Sequence, residues 1–179
     1  WQAGLFIQDD WRARSNLTLS AGLRQEIQTH LDDGLNLAPR LGFTWSPFKS
    51  GRTTVRGSVG VFHDWLDSSV YEQTLQVDGL RQKEIVVRNP GYPDYLAGGV
   101  DQAVLPASRY VIADDVTMPW SVRASAGVQQ RLTQSLNANV LYAFSRGYDR
   151  FRGLNVNPPD PALGGGRPDP AFGNVTQVE

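Results

Sequence analysis

The chain has 179 residues, enough for one ordinary domain with its own core. Its 17 basic and 18 acidic residues give a formal net charge of -1, which argues against nucleic acid as a partner, because that calls for a strong basic excess. Hydrophobic residues make up 40%, and no window approaches the roughly 18 consecutive apolar residues of a membrane helix, so a membrane form of this chain has to be a β-barrel. With no cysteine, disulfide frameworks, thiolate metal sites and cysteine nucleophiles are excluded. The chain opens on Trp1-Gln2-Ala3-Gly4, without a start methionine or a signal-peptide pattern, and reads as cut from something longer.

The first segment alternates. Trp1, Ala3, Leu5, Ile7 and Trp11 fall on odd positions, and Gln2, Gly4, Gln8, Asp10 and Arg12 on even ones, with Phe6 and Asp9 out of phase. A turn is expected at Ala13-Arg14-Ser15-Asn16. The second segment is the cleanest: Leu17, Leu19, Ala21 and Leu23 oppose Thr18, Ser20, Gly22, Arg24 and Glu26. Successive strand side chains face opposite sides, so such a strand has one apolar and one polar face. A polar stretch over residues 28–36 breaks the pattern. In the third segment Leu41, Phe43 and Trp45 oppose Arg40, Gly42, Thr44 and Ser46, and Pro47-Phe48-Lys49-Ser50-Gly51 is a compact turn signal. The fourth sets Val55, Val59 and Val61 against Thr54, Arg56, Ser58 and Gly60.

From Trp65 to Pro119 the alternation stops. Residues 67–77 read as a short helix on the loose spacing of Val70, Leu75 and Val77, and residues 82–88 as a short strand. A connection of this length is uncommon in a compact domain and usually functional. The fifth segment opposes Val122, Ala124, Ala126 and Val128 to Arg123, Ser125, Gly127 and Gln129. After the short turn Thr133-Gln134-Ser135, the sixth opposes Leu136, Ala138, Val140, Tyr142 and Phe144 to Asn137, Asn139, Ala143 and Ser145, with Leu141 the exception. Residues 147–173 form a second long loop rich in proline and glycine, and residues 174–179 read as the start of a seventh strand.

The expected fold is all-β, an antiparallel meander of about six or seven long strands forming part of a large transmembrane outer-membrane barrel. Residues 1–179 are one partial barrel domain, with hairpins at 1–26, 38–64 and 121–146 and extracellular loops at 65–119 and 147–173. Three features carry this. The segments are close to the about 9–11 residues that cross a bilayer at a tilt, whereas soluble strands run nearer about 5–6. The connections run short, medium, short, long, short, long, which puts the long loops at one end, as in outer-membrane barrels. Trp1 and Trp11 span on the order of 23 Å of height on the apolar face, matching an apolar band about 25 Å tall with aromatic girdles. Trp45 and Phe48 fall at the short-turn end; Trp65, Trp120, Tyr142 and Phe144 are placed towards the other, with Trp65 and Trp120 in outward parity. Arg24, Arg40, Arg56 and Arg123 all fall on polar faces, where they suit a lumen or, taken singly, ordinary solvent. Six or seven strands alone would leave unpaired edges in hydrocarbon, so the barrel reading requires a larger parent.

Residues 5–26, LFIQDDWRARSNLTLSAGLRQE, resemble the barrel segment of TonB-dependent receptors, in which an aromatic-Gln-Asp-x-Trp strand turns into a Leu-Thr-Leu-x-x-Gly-Leu-Arg strand. NLAPRLGFTWSP and GRTTVRGSVGVFHD look like the next hairpin of that group, and the Oar-like barrels are the most similar. VYEQTLQVDG, RNPGYPD and GLNVNPP in the loops add to the likeness. Gln25 and His63 depart from it, standing where aromatics are usual. The resemblance implies a Gram-negative outer-membrane location, energised uptake of an extracellular ligand by the full protein, and outer-membrane lipid, the rest of the barrel, a plug and TonB as partners. The second function considered is a soluble, secreted β-sandwich binding module, for instance for carbohydrate; a third, a barrel protease or lipase, lacks any catalytic constellation.

No catalytic, cofactor-binding or metal-ligating residue is nominated, and no cofactor is expected. His30 and His63 lack the spacing of a zinc site. Asp9 and Asp10 are strand neighbours facing opposite sides; Asp32-Asp33 and Asp114-Asp115 read as solvated loop charge rather than calcium ligands. Gly164-Gly165-Gly166-Arg167-Pro168 lacks the Gly-Lys-Ser/Thr of a phosphate loop. Tyr71, Tyr92, Tyr95 and Tyr110 lie in loops that could touch a ligand.

Overall fold

The computed structural model describes residues 1–31, 33–81, 91–94 and 106–179. In chain order the elements are β1 Gln2–Arg14, β2 Leu17–Gln28, β3 Asn36–Trp45, β4 Thr53–His63, α1 Ser68–Gln76, β5 Arg109–Ile112, β6 Trp120–Arg131, β7 Asn137–Tyr148, β8 Gly153–Asn155 and β9 Val175–Val178. They divide into two compact units, residues 1–65 with 117–150 and residues 66–116 with 151–179.

The first unit is one antiparallel sheet of six strands in the order β1-β2-β3-β4-β6-β7. Its strands of 10–13 residues are long enough to cross a bilayer. The register keeps the two faces apart across every strand. One row runs Trp11, Leu19, Phe43, Gly57, Ala126, Tyr142 and the next Asp9, Ala21, Leu41, Val59, Ala124, Phe144. Shifting any pair by one residue would turn its apolar set to the other side, so the alternation itself fixes the register. These apolar side chains are open on this face: Ile7 is 74% exposed, Leu41 60% and Val140 72%.

The β1–β2, β3–β4 and β6–β7 connections share one end, and the β3–β4 connection, expected to be short, is as long as the β2–β3 connection at the other end. At the shared end Asn16 and Ser46 are joined by the Ser46 N–H donating to Asn16 O at 2.8 Å and the Asn16 amide donating to Ser46 O at 2.9 Å. In the β3–β4 turn Gly51 takes φ +61°, a left-handed backbone that favours glycine, and its N–H donates to Phe48 O at 3.0 Å. In the β6–β7 turn the Thr133 hydroxyl accepts from Leu136 N at 3.0 Å. At the opposite end the Trp120 and Tyr148 rings stack, 4.2 Å between centroids, and the indole N–H donates to Asp149 at 2.8 Å. Trp65 lies beyond the last residue of β4, so strand parity does not govern it, and Tyr142 sits mid-strand rather than towards an end.

The second unit is built from both long connections. Its sheet has the order β5-β9-β8, with β9 parallel to β5 and antiparallel to β8. This corrects the expected seventh wall strand: Val175–Val178 pair with β5 and β8 and not with the six-stranded sheet. The expected helix is present as α1. Asp67 caps it, accepting from Ser69 N at 2.8 Å, and hydrogen bonds from Ser69, its hydroxyl first and its N–H second, hold the Asp67 carboxyl below the usual range. The segment 151–179 is organised around Asn157, which is 2% exposed. Its amide donates to the carbonyls of Asp169, Phe172 and Gly173 at 2.8, 3.1 and 2.9 Å, and its side-chain oxygen accepts from Asp169 N at 2.8 Å.

Candidate functional site

The polar face of the six-stranded sheet carries most of its charged side chains, while Asp9 and Arg146 fall on the apolar face. Parity and register place Arg12, Arg24, Arg40, Arg56, Arg123 and Arg131 on the polar face, against the carboxylates of Asp10 and Glu26. The face is therefore basic although the chain as a whole is nearly neutral. All four arginines singled out in the sequence are here, and two of them are held by neighbours. Arg24 pairs with Glu26, itself 5% exposed, and Arg56 donates to Gln129 at 2.7 Å.

Arg40 and Arg123 meet over one ring. The register aligns Arg40, Gly60 and Arg123 across β3, β4 and β6. Phe62, two residues beyond Gly60 on the same face, lies 4.4 Å from the Arg40 guanidinium carbon and 4.8 Å from that of Arg123, measured to the ring centroid. A cation over an aromatic face is attracted by the ring quadrupole. Gly60 permits the approach, since a Cβ there would meet Arg40 Cγ at 3.0 Å and Phe62 at 3.2 Å. Arg123 also donates to the Ser121 hydroxyl at 3.2 Å and stands 3.8 Å from Asp64. The Ser58 and Ser125 hydroxyls bond each other at 2.8 Å in the row beside them.

Sequence reading gave Arg12 its place on the polar side of the first segment but missed the roles of Phe62 and Arg131. The signal for Phe62 was available: it is an apolar residue in the polar phase of β4, alternating with Arg56, Ser58 and Gly60.

The other nominated residues stay dispersed. His30 lies in the β2–β3 connection with φ +75°, and His63 ends β4 on the apolar face opposite Trp120. Asp9 falls on the apolar face and Asp10 on the polar one. Asp33 accepts from Met118 N at 2.9 Å, and Asp114 and Asp115 are exposed beyond β5. Tyr71 is in α1, Tyr110 in β5, and Tyr92 is fully exposed. Asp32, Tyr95 and the strand expected at 82–88 lie outside the described residues. Among the described residues, no three His, Asp or Glu side chains gather as metal ligands would.

An outer membrane beta barrel domain family matches residues 32–179. Two solved structures from Pseudomonas aeruginosa share the fold. The siderophore receptor PirA is 17% identical over 99% of this chain and 28% of its own, with a TM-score of 0.58. A mutant of the ferric enterobactin receptor PfeA is 16% identical over 99% of this chain and 22% of its own, with a TM-score of 0.62. The chain thus spans about a quarter of the length of either receptor. No curated protein matches it. The family match and the shared fold agree with the expected outer-membrane barrel and replace the alternative of a soluble sandwich. In outer-membrane barrels the apolar face of the wall meets lipid and the polar face turns to the lumen. By its match over residues 32–179 and by its fold, the chain belongs to the outer membrane beta barrel domain family and is part of the wall of a barrel in a Gram-negative outer membrane.

Proposed function

We propose that the parent protein is a TonB-dependent uptake receptor and that this segment lines part of the route its ligand takes. In this reading the connections 65–119 and 147–173 lie outside the cell and meet the ligand first. A plug domain, absent from this segment, couples the barrel to TonB. The observation that carries the reading is the concentration of arginine on the lumenal side of a wall whose other side is an apolar band. A wall serving only as an anchor has no need of a charged interior. The siderophore and ferric enterobactin receptors among the structural neighbours support a ferric chelate as the ligand.

Radioactive iron supplied as ferric enterobactin tests this in the source bacterium. Accumulation should fall on deletion of the parent gene and fall equally on loss of TonB. Unchanged accumulation after gene deletion rules out that chelate as the ligand, and a TonB-independent fall rules out the energised mechanism. An epitope inserted at Gly165 should be labelled on intact cells; labelling only after permeabilisation would reverse the sidedness.

A further inference from the structure

We propose that the end of the wall carrying the β1–β2, β3–β4 and β6–β7 connections is a docking surface for anionic phospholipid, with Arg14 and Lys49 meeting the headgroup phosphates. The proposal rests on the lipid-facing reading of the apolar face and adds the class of lipid that gathers at one end of it. Residues 12–18, 45–54 and 129–137, which make up these connections and the adjoining strand ends, carry Arg12, Arg14, Lys49, Arg52 and Arg131 and no carboxylate. Outside the six strands of the wall, every carboxylate of the chain lies in the other connections or beyond β7. The chain as a whole is nearly neutral, so this end is basic because charge is sorted along the strands. All five side chains are exposed, and none makes a hydrogen bond, ion pair or ring contact among the described residues. Two of them are set beside one another, since the Arg131 N–H donates to Arg52 O at 2.8 Å. Like charges held close without a counter-ion repel, and an anionic surface relieves them.

The occupant is lipid rather than a soluble anion because these cations share their turns with apolar side chains. Arg14 pairs with Leu17 and Leu17 with Trp45, which puts Arg14 in the apolar phase, two strands from Trp45. In the β3–β4 connection the bond from Gly51 N–H to Phe48 O closes a turn with Lys49 at its tip. Trp45, Phe48 and Leu132 are exposed in or next to the same connections. Tryptophan favours the membrane–water boundary, and basic side chains near an anionic membrane surface are drawn to it. The long stems of arginine and lysine stay on apolar surface while their charged ends reach the headgroups. Arg12 and Arg131 fall in the polar phase, so they strengthen the local field without touching the lipid.

The test is quenching of tryptophan fluorescence in the parent protein, reconstituted into vesicles of phosphatidylcholine mixed with phosphatidylglycerol. One lipid or the other carries brominated acyl chains, and the contribution of Trp45 is the difference from Trp45→Phe. At equal mole fraction, brominated phosphatidylglycerol should quench Trp45 more than brominated phosphatidylcholine does, and salt should reduce the excess. Arg14→Gln and Lys49→Gln should each lower the relative affinity for phosphatidylglycerol by up to about fivefold, the scale of one cation at an anionic surface, and together should remove the preference. Arg146→Gln deletes a cation from the apolar face at the other end of the wall and should leave the preference unchanged. Equal quenching by the two lipids overturns the proposal, as does a preference that survives in the double variant or falls as far with Arg146→Gln. If equal quenching is joined by a loss of thermal stability in the double variant, the cations belong to an acidic segment of the parent protein instead. If neither lipid quenches Trp45, the lipid-facing reading falls and takes this proposal with it, whereas equal quenching by both removes the proposal alone.

Discussion

On the apolar face Gly57 lies in a row where Leu19, Phe43, Ala126 and Tyr142 all carry side chains. A Cβ at Gly57 would meet Phe43 Cε1 at 2.5 Å and Cζ at 3.0 Å, so the ring occupies the space beside the glycine. Cross-strand aromatic cover of a strand glycine stabilises a sheet that would otherwise be weak there. Gly57→Val should therefore force the ring away and cost about 1–3 kcal/mol, the usual scale of overpacking. Once Phe43→Ala has removed the ring, the same valine should cost much less, so the two changes will be non-additive in urea unfolding of the parent barrel followed by heat-modifiable electrophoresis. Simple additivity would show that the ring does not depend on the glycine. Asp67 offers a second test at this scale. Its folded pKa is depressed, so its support of α1 is complete above the ordinary carboxylate range and is lost as pH falls through the lowered value. Amide protection at Ser69 and Val70, taken relative to the intrinsic exchange rate at each pH, should hold above the ordinary carboxylate range and fall as pH drops through the lowered value. Asp67→Asn, which caps without titrating, should abolish that pH dependence.

At the scale of elements, the segment 151–179 depends on one amide. Asn157→Ala would leave the buried carbonyl of Gly173 and its neighbours without their donor, at about 1–3 kcal/mol for an unsatisfied buried group. Limited proteolysis of the parent protein should then cut between Asn157 and Gly173, with the six-stranded wall intact; an unchanged digest would show that the loop is held elsewhere. This hub also marks where sequence reading stops. Strands β2, β3 and β6 were legible because each carries one apolar and one polar face over ten residues or more, and the period is its own signal. β5, β8 and β9 have three or four residues, too few for a period, and β5 finds β9 in parallel from more than sixty residues away. Nothing local encodes that pairing. The same limit applies at the candidate site: the arginines could be assigned a face from alternation, but which of them meet over Phe62 depends on the register of β3, β4 and β6.

For the whole molecule, the decisive property is that the two sides of one sheet answer to different solvents. Leu41 and Ser20 sit in adjacent pairing rows, since Ser20 faces Gly42 and Leu41 faces Ala21, so they lie at nearly the same depth. Leu41 is on the apolar side and 60% exposed there; Ser20 is on the polar side. In water an exposed leucine can become arginine at almost no cost. In a bilayer the same change puts a guanidinium among acyl chains, at about 2–4 kcal/mol near the midplane. Leu41→Arg should therefore lower the folded fraction of the parent protein in lipid vesicles and its level in the outer membrane, and Ser20→Arg should leave both nearly unchanged. The pair discriminates because both substitutions add one charge and similar bulk within one row of each other. Equal tolerance would mean that the apolar face does not meet lipid. A larger penalty at Ser20 would mean that the face now read as lumenal is the one turned to the hydrocarbon, and the arginine-rich rows around Arg40 and Arg123 would then need another explanation.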